Sequence, residues 1–167
     1  QDSTAYRKQG RVWLEGDHLC RAFLARGGRP KQAVVGASAW LQPGPRALAL
    51  PRALQYAAPF GYTVWLRPQD AFLGNGVAAS GSLATRLGLS GVPVAAETIA
   101  LHTIFELMRI TGARVHLCRL SSAAGVALLR AAKAEGLPLS ADVSINSLHL
   151  SDVDIGYFNA DMRLTPP

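Results

Sequence analysis

The chain has 167 residues, 49% of them hydrophobic and 17% charged, with a formal net charge of +6. This is a globular composition with enough apolar material for one core, and no run reaches the ~18 apolar residues of a membrane span. The basic excess is mostly N-terminal, seven Lys/Arg against three Asp/Glu in residues 1–31 and ten against eight in the other 136, and no patch interleaves aromatics with arginine as a nucleic-acid surface would.

Residues 1–32 form a poorly patterned segment, expected to stand apart from a domain at 33–167. Gln1, Asp2 and Ser3 are followed by no apolar segment, so no secretory leader is expected. A start at Gln points to a piece of something longer. Cys20 and Cys118 lie far apart without metal-type spacing, and free thiols in a reducing, cytoplasmic setting are expected.

From residue 33 the pattern is regular. Residues 33–36 read as a short buried strand, and 42–45 as a turn. Residues 51–58 read as a helix with Pro51 at its first position. Residues 62–66 are apolar at nearly every position, as in a strand buried on both faces, with Trp65 as core. A long loop rich in Gly, Ala, Ser and Asn is expected over 68–91. A helix follows over 94–110, capped by Gly112. Residues 114–120 read as a strand ending in Arg119, and Ser121 or Ser122 caps the next helix, which stops at Gly136. Residues 139–143 read as a strand, and 151–154 as a helical turn.

The order is βαβαβαβ, which demands a parallel sheet with right-handed crossovers. The fold class is therefore α/β, with about four parallel strands and intervening helices. Two architectures fit: part of an open doubly wound sheet, or a partial TIM-like (β/α)8 barrel. A complete barrel takes about 250 residues. Half a barrel leaves two open sheet edges and an apolar interior facing water, and marginal behaviour in isolation is expected.

Chemistry in such folds sits at the C-terminal strand ends, and two of these ends carry arginine, Arg67 and Arg119. A guanidinium has no lone pair for a metal. His116 falls on the opposite phase from Arg119, so a structural role is expected. His102 and His149, the latter in a loop, read as surface or packing residues. Ser121 has no accompanying base for a nucleophilic role. The Gly74-Asn75-Gly76 run lacks the context of a phosphate loop. If Arg67 and Arg119 converge with Ser121, Asn146 and Asp70, they form an anion site for a carboxylate or phosphate. The simpler expectation is that they pair with Asp70 or other acids in an inert cavity.

Three separated stretches resemble dihydroorotases, amidohydrolase-superfamily enzymes of pyrimidine biosynthesis built on a TIM-like barrel. These are Leu87-Gly88-Leu89-Ser90-Gly91-Val92-Pro93 with Ala96-Glu97, the run from Gly112 to Ser122, and Asn159-Ala160-Asp161-Met162-Arg163-Leu164-Thr165-Pro166-Pro167. The resemblance covers about residues 33–167 in one register. It implies a degenerate site. Arg67, in Arg67-Pro68-Gln69-Asp70, replaces the zinc-binding His of a His-Cys-Glu-Asp-like run. Arg119 replaces the second His of a His-x-x-His-Val-Ser run whose first His is His116. Asn146, in Ser144-Ile145-Asn146-Ser147, falls in a Thr-Pro-His-His run. Thr165 replaces a substrate-contacting Asn, and the Asp or modified Lys position falls near Ala37-Ser38-Ala39.

The resemblance therefore implies no catalytic residue and no cofactor, although active relatives use zinc. It is nearest to the non-catalytic dihydroorotase-like subunits that partner aspartate carbamoyltransferase in a hetero-oligomer. Two alternatives stay open: an active zinc-dependent cyclic-amide hydrolase with its remaining ligands outside these residues, and a metal-free module binding an anionic metabolite.

Overall fold

The computed structural model describes residues 26–27, 33–34, 49–162 and Leu164. The chain divides between Lys31 and Gln32 into two units, and every element below belongs to the second. In chain order these are β1 (Ala33–Val34), α1 (Ala49–Ala57) continued by a 3-10 turn (Ala58–Phe60), β2 (Thr63–Leu66), β3 (Ala78–Ala79), α2 (Ser82–Leu87), β4 (Gly91–Val92), α3 (Ala95–Thr111), β5 (Arg114–Leu117), α4 (Ala123–Glu135), β6 (Leu139–Ala141) and α5 (Ile145–His149), followed by 3-10 turns at Asp152–Ile155 and Ala160–Met162. Strands β1, β2, β5 and β6 lie side by side in that order, and β3 pairs separately with β4. Every pairing is parallel. Strands separated by helices cannot turn back as hairpins, so the crossovers impose this.

The core lies on one face of the four-stranded sheet. Val64 and Leu66 of β2 and Val115 and Leu117 of β5 point into it, against Leu54 of α1 and Leu101, Ile104, Phe105 and Met108 of α3. Leu54, Leu101 and Leu117 are fully buried, and such burial stabilises by about 1.5–3 kcal/mol per side chain. Ala132 brings α4 onto the same cluster. Arg109 forks onto both carboxylate oxygens of Glu135 at 2.6 Å and also reaches Glu106, tying α3 to α4. The exposed position of that clamp keeps its contribution small.

Several sequence expectations need correction. β2 is buried on one face only, because alternation turns Trp65 away from the helices; it is 38% exposed and is not core. The segment 68–91 is not a structureless loop. It holds β3, α2 and β4, and a left-handed Gly88 ends α2. Strand β5 stops at Leu117, before Arg119, where the backbone turns left-handed (φ 60°). Strand β6 stops at Ala141, because Asp142 and Ser144 lead into α5. His149 ends α5 and so lies in a helix. Helix α1 starts at Ala49, which makes Pro51 its third residue. A first-turn amide has no intrahelical partner, so proline is tolerated there too. Gly74 and Gly76 serve close packing: a Cβ on Gly76 would stand 2.7 Å from Val92 Cγ2 and 2.8 Å from the Gly91 carbonyl carbon.

Helix α3 ends at Gly112 and α4 at Gly136, as the sequence predicts. The turn at 42–45, the 37–39 position, His18, Cys20 and Thr165 lie outside the described residues.

Candidate functional site

Two lateral rows of side chains occupy the sheet face opposite the core. In the first, Trp65, His116 and Ser140 are register partners on β2, β5 and β6. The Trp65 and His116 ring centroids lie 4.6 Å apart, and His116 Nδ1 lies 2.8 Å from Ser140 Oγ. The pairing continues beyond the strands. The Cys118 amide donates to the Leu66 carbonyl at 2.8 Å, and the Asp142 amide to the Leu117 carbonyl at 3.0 Å. Alternation then puts Arg67, Cys118 and Asp142 in the second row.

Asp142 joins the rows. Its Oδ2 lies 3.0 Å from His116 Nε2, and Oδ1 accepts the Arg119 amide at 2.7 Å. A carboxylate only accepts, so Nε2 carries the hydrogen and the Ser140 hydroxyl serves Nδ1. His116 thus has a partner on each ring nitrogen. Arg119 sits in the left-handed region, which costs a bulky residue about 1–2 kcal/mol. Two anchors hold it there: the Arg119 amide on Oδ1, and the Leu120 amide on the Asp142 carbonyl at 3.0 Å.

Burial alone would raise the Asp142 carboxyl. The hydrogen bonds from His116 and the Arg119 amide, with the charges of both residues, outweigh it and leave the group below its ordinary value. A depressed acid contributes stability above the ordinary carboxyl range and loses it as pH falls through the lowered value. Asp142→Asn should therefore melt earlier than the parent near neutrality, and the gap should close at acid pH. Thermal melts across a pH series check this; a constant gap would contradict it.

The sequence-derived site residues separate into those brought together and those that are not. Arg67 and Arg119 are near enough for the charge of Arg119 to depress Arg67, after burial, its larger cause. Arg67 donates to Gln69 Oε1, and its Nε is buried without a partner. Asp70 does not pair with Arg67, contrary to the simpler expectation. Its Oδ1 instead accepts the amides of Phe72 and Leu73, each at 2.9 Å, because a short Asp side chain caps its own turn best. Asn146 is exposed in the first turn of α5. Ser121 turns to another partner.

That partner is Glu97, 7% exposed in the first turn of α3. Its Oε2 accepts the Ser121 amide at 2.8 Å and hydroxyl at 3.1 Å. Its Oε1 accepts the Ser122 amide at 3.2 Å and hydroxyl at 2.6 Å. Ser122 Oγ in turn accepts the Gly125 amide at 2.9 Å as N-cap of α4. A buried carboxylate thus finds four donors at a helix N-terminus. A cavity of about 190 Å³ opens beside Glu97, walled also by Gln69, Val92, Pro93 and Ser121.

The sequence reading missed one grouping. His116, Cys118 and Asp142 each offer a ligand atom, and these atoms lie within 4.8 Å of one another. Nitrogen, sulfur and oxygen together suit a zinc-like cation. The His-x-Cys spacing on one strand face was the available signal; Asp142 arrives from the next strand. The fit is weak, because both imidazole nitrogens are already engaged. Burial and the Asp142 charge also push the Cys118 thiol up, against the thiolate a metal needs.

No family model matches the chain. It is 39% identical over 119 residues to a dihydroorotase of Anaeromyxobacter sp. (strain K), covering 70% of this chain and 28% of that protein. It is 36% identical over 155 residues to a dihydroorotase-like protein of Pseudomonas putida, covering 92% of this chain and 36% of that protein. The chain thus spans roughly a third of the curated relatives it matches. Among solved structures, an L-hydantoinase (dihydropyrimidinase) from Arthrobacter aurescens shares the fold, with TM-score 0.65, 18% identity, and 90% of this chain and 34% of that chain covered. The chain is thus similar in sequence to dihydroorotases and in fold to a hydantoinase. No described helix is long and apolar enough to cross a membrane.

Proposed function

We propose that the chain is part of a dihydroorotase-like protein that has lost hydrolysis and works by assembly. In this reading it forms part of a TIM-like barrel, binds aspartate carbamoyltransferase in a cytoplasmic hetero-oligomer, and supports pyrimidine biosynthesis. The observation that carries it is the arginine pair. Arg67 and Arg119 stand on adjoining strand ends, at the positions where the resembled family uses histidine, and neither can ligate zinc. Without zinc nothing lowers the pKa of water for attack on a cyclic amide. Exposed Ile145, Leu148, Val153 and Tyr157 supply apolar surface for the rest of a barrel or a partner to cover.

A second reading is a zinc-dependent cyclic-amide hydrolase whose other ligands lie elsewhere in a longer protein. The His116, Cys118 and Asp142 grouping favours it. It ranks below the first reading because both imidazole nitrogens and the Asp142 carboxylate already have partners.

The test uses the full-length parent. Elemental mass spectrometry after dialysis should find no stoichiometric zinc, dihydroorotate hydrolysis should stay at background, and the protein should co-migrate with aspartate carbamoyltransferase. Zinc near ~1 per chain with zinc-dependent turnover would overturn the reading. Loss of co-migration alone would remove the assembly role and leave the inactive site standing.

A further inference from the structure

We propose that Arg67 and Arg119 form a binding site for a small oxyanion, a carboxylate or phosphate group, at the C-terminal edge of the sheet. The site goes beyond the assembly reading and does not depend on it.

Arg67 follows β2 and Arg119 follows β5, two paired strands, so two guanidiniums stand at adjoining strand ends. Among the described residues neither makes an ion pair with a carboxylate. Arg67 has only the neutral Gln69 amide oxygen, and its Nε–H is buried without an acceptor. Asp70, the acid nearest in sequence to Arg67, is consumed by its own turn. Asp142 is a single carboxylate already bonded to His116 and to the Arg119 amide. Arg67, Arg119 and Asp142 together therefore carry one positive charge more than the acid balances. The backbone holds Arg119 here at a left-handed φ of 60°, a conformation that persists only where surrounding contacts fix it.

An oxyanion resolves these observations together. It offers lone pairs to the orphaned Nε–H and to the free fork of Arg119, and its charge offsets their repulsion. A cation at the neighbouring His116, Cys118 and Asp142 atoms would meet the opposite field, with Arg119 beside both Cys118 and Asp142.

The experiment is isothermal titration of the full chain at low salt with inorganic phosphate and, separately, succinate. Saturable one-to-one binding of either probe is expected. It should weaken by about tenfold or more in Arg67→Gln and in Arg119→Gln. Arg114→Gln, an exposed arginine at the other end of β5, should bind as the parent does. Thermal melts of both arginine variants should show them folded at the titration temperature, which separates lost binding from lost folding. The stronger probe distinguishes a phosphate source from a carboxylate source. No saturable binding of either probe, or undiminished binding in both arginine variants, would overturn the site.

Discussion

Glu97→Ala should be the most destabilising single change on the strand-end side of the molecule. The carboxylate is 7% exposed and receives two amides and two hydroxyls, from Ser121 and Ser122. Truncation orphans the two amides at the entrance to α4. It also frees the Ser122 hydroxyl, which positions the Gly125 amide. Hydrogen bonds to a charged group contribute about 1.5–3 kcal/mol each, and part of the loss is recovered as water enters. A net loss of about 3–5 kcal/mol is expected. Glu97→Gln keeps the shape and one acceptor, so it should lose about half as much. Urea unfolding with an unchanged m-value reads both. A Glu97→Ala midpoint equal to the parent's would show that water replaces the carboxylate without cost.

The parts of this fold legible in sequence are those fixed by local chemistry. Helices α3 and α4 follow from apolar content closed by Gly112 and Gly136, and of the two candidate serines, Ser121 and Ser122, the second caps α4. Parallel pairing follows from the alternation of strands and helices. The arginines at strand ends were legible too, since Arg67 directly follows the run Thr63–Leu66 and Arg119 comes two residues after Leu117. Trp65 was misread because a continuous apolar run does not say which face is covered; only the tertiary placement of α1 and α3 decides it. Helix α2 was missed because a stretch rich in Gly, Ser and Ala carries no helical period, though Gly81 and Gly88 bracket it. Glu97 and Asp142 were missed for a common reason. An acid in the first turn of a helix reads as a surface partner of the dipole, and Asp142 falls inside the stretch 139–143 read as a strand, where nothing local marks its partners. Their partners come from residues 23 to 26 positions away.

Gly125→Ala should test whether the Glu97 contact is rigid. Gly125 is buried in the first turn of α4, and a Cβ there would stand 2.0 Å from Glu97 Oε1 and 3.0 Å from Ser122 Oγ. Alanine ordinarily favours a helix over glycine by about 0.8–1.0 kcal/mol. Here the clash must reverse that sign. Glu97 is held by four donors, so it cannot retreat without breaking some of them, and a net loss of about 2–3 kcal/mol is expected. The double variant Glu97→Ala, Gly125→Ala decides the cause. With the carboxylate gone, the new methyl group has room and the helix preference reasserts itself. The double variant should then be no less stable than Glu97→Ala alone, a coupling of about 2–3 kcal/mol between the two sites. Additive losses would mean that Gly125 is needed for its backbone and not for its closeness to Glu97. The carboxylate would then sit in a site loose enough to yield, and the tie from α3 to the start of α4 would not be rigid.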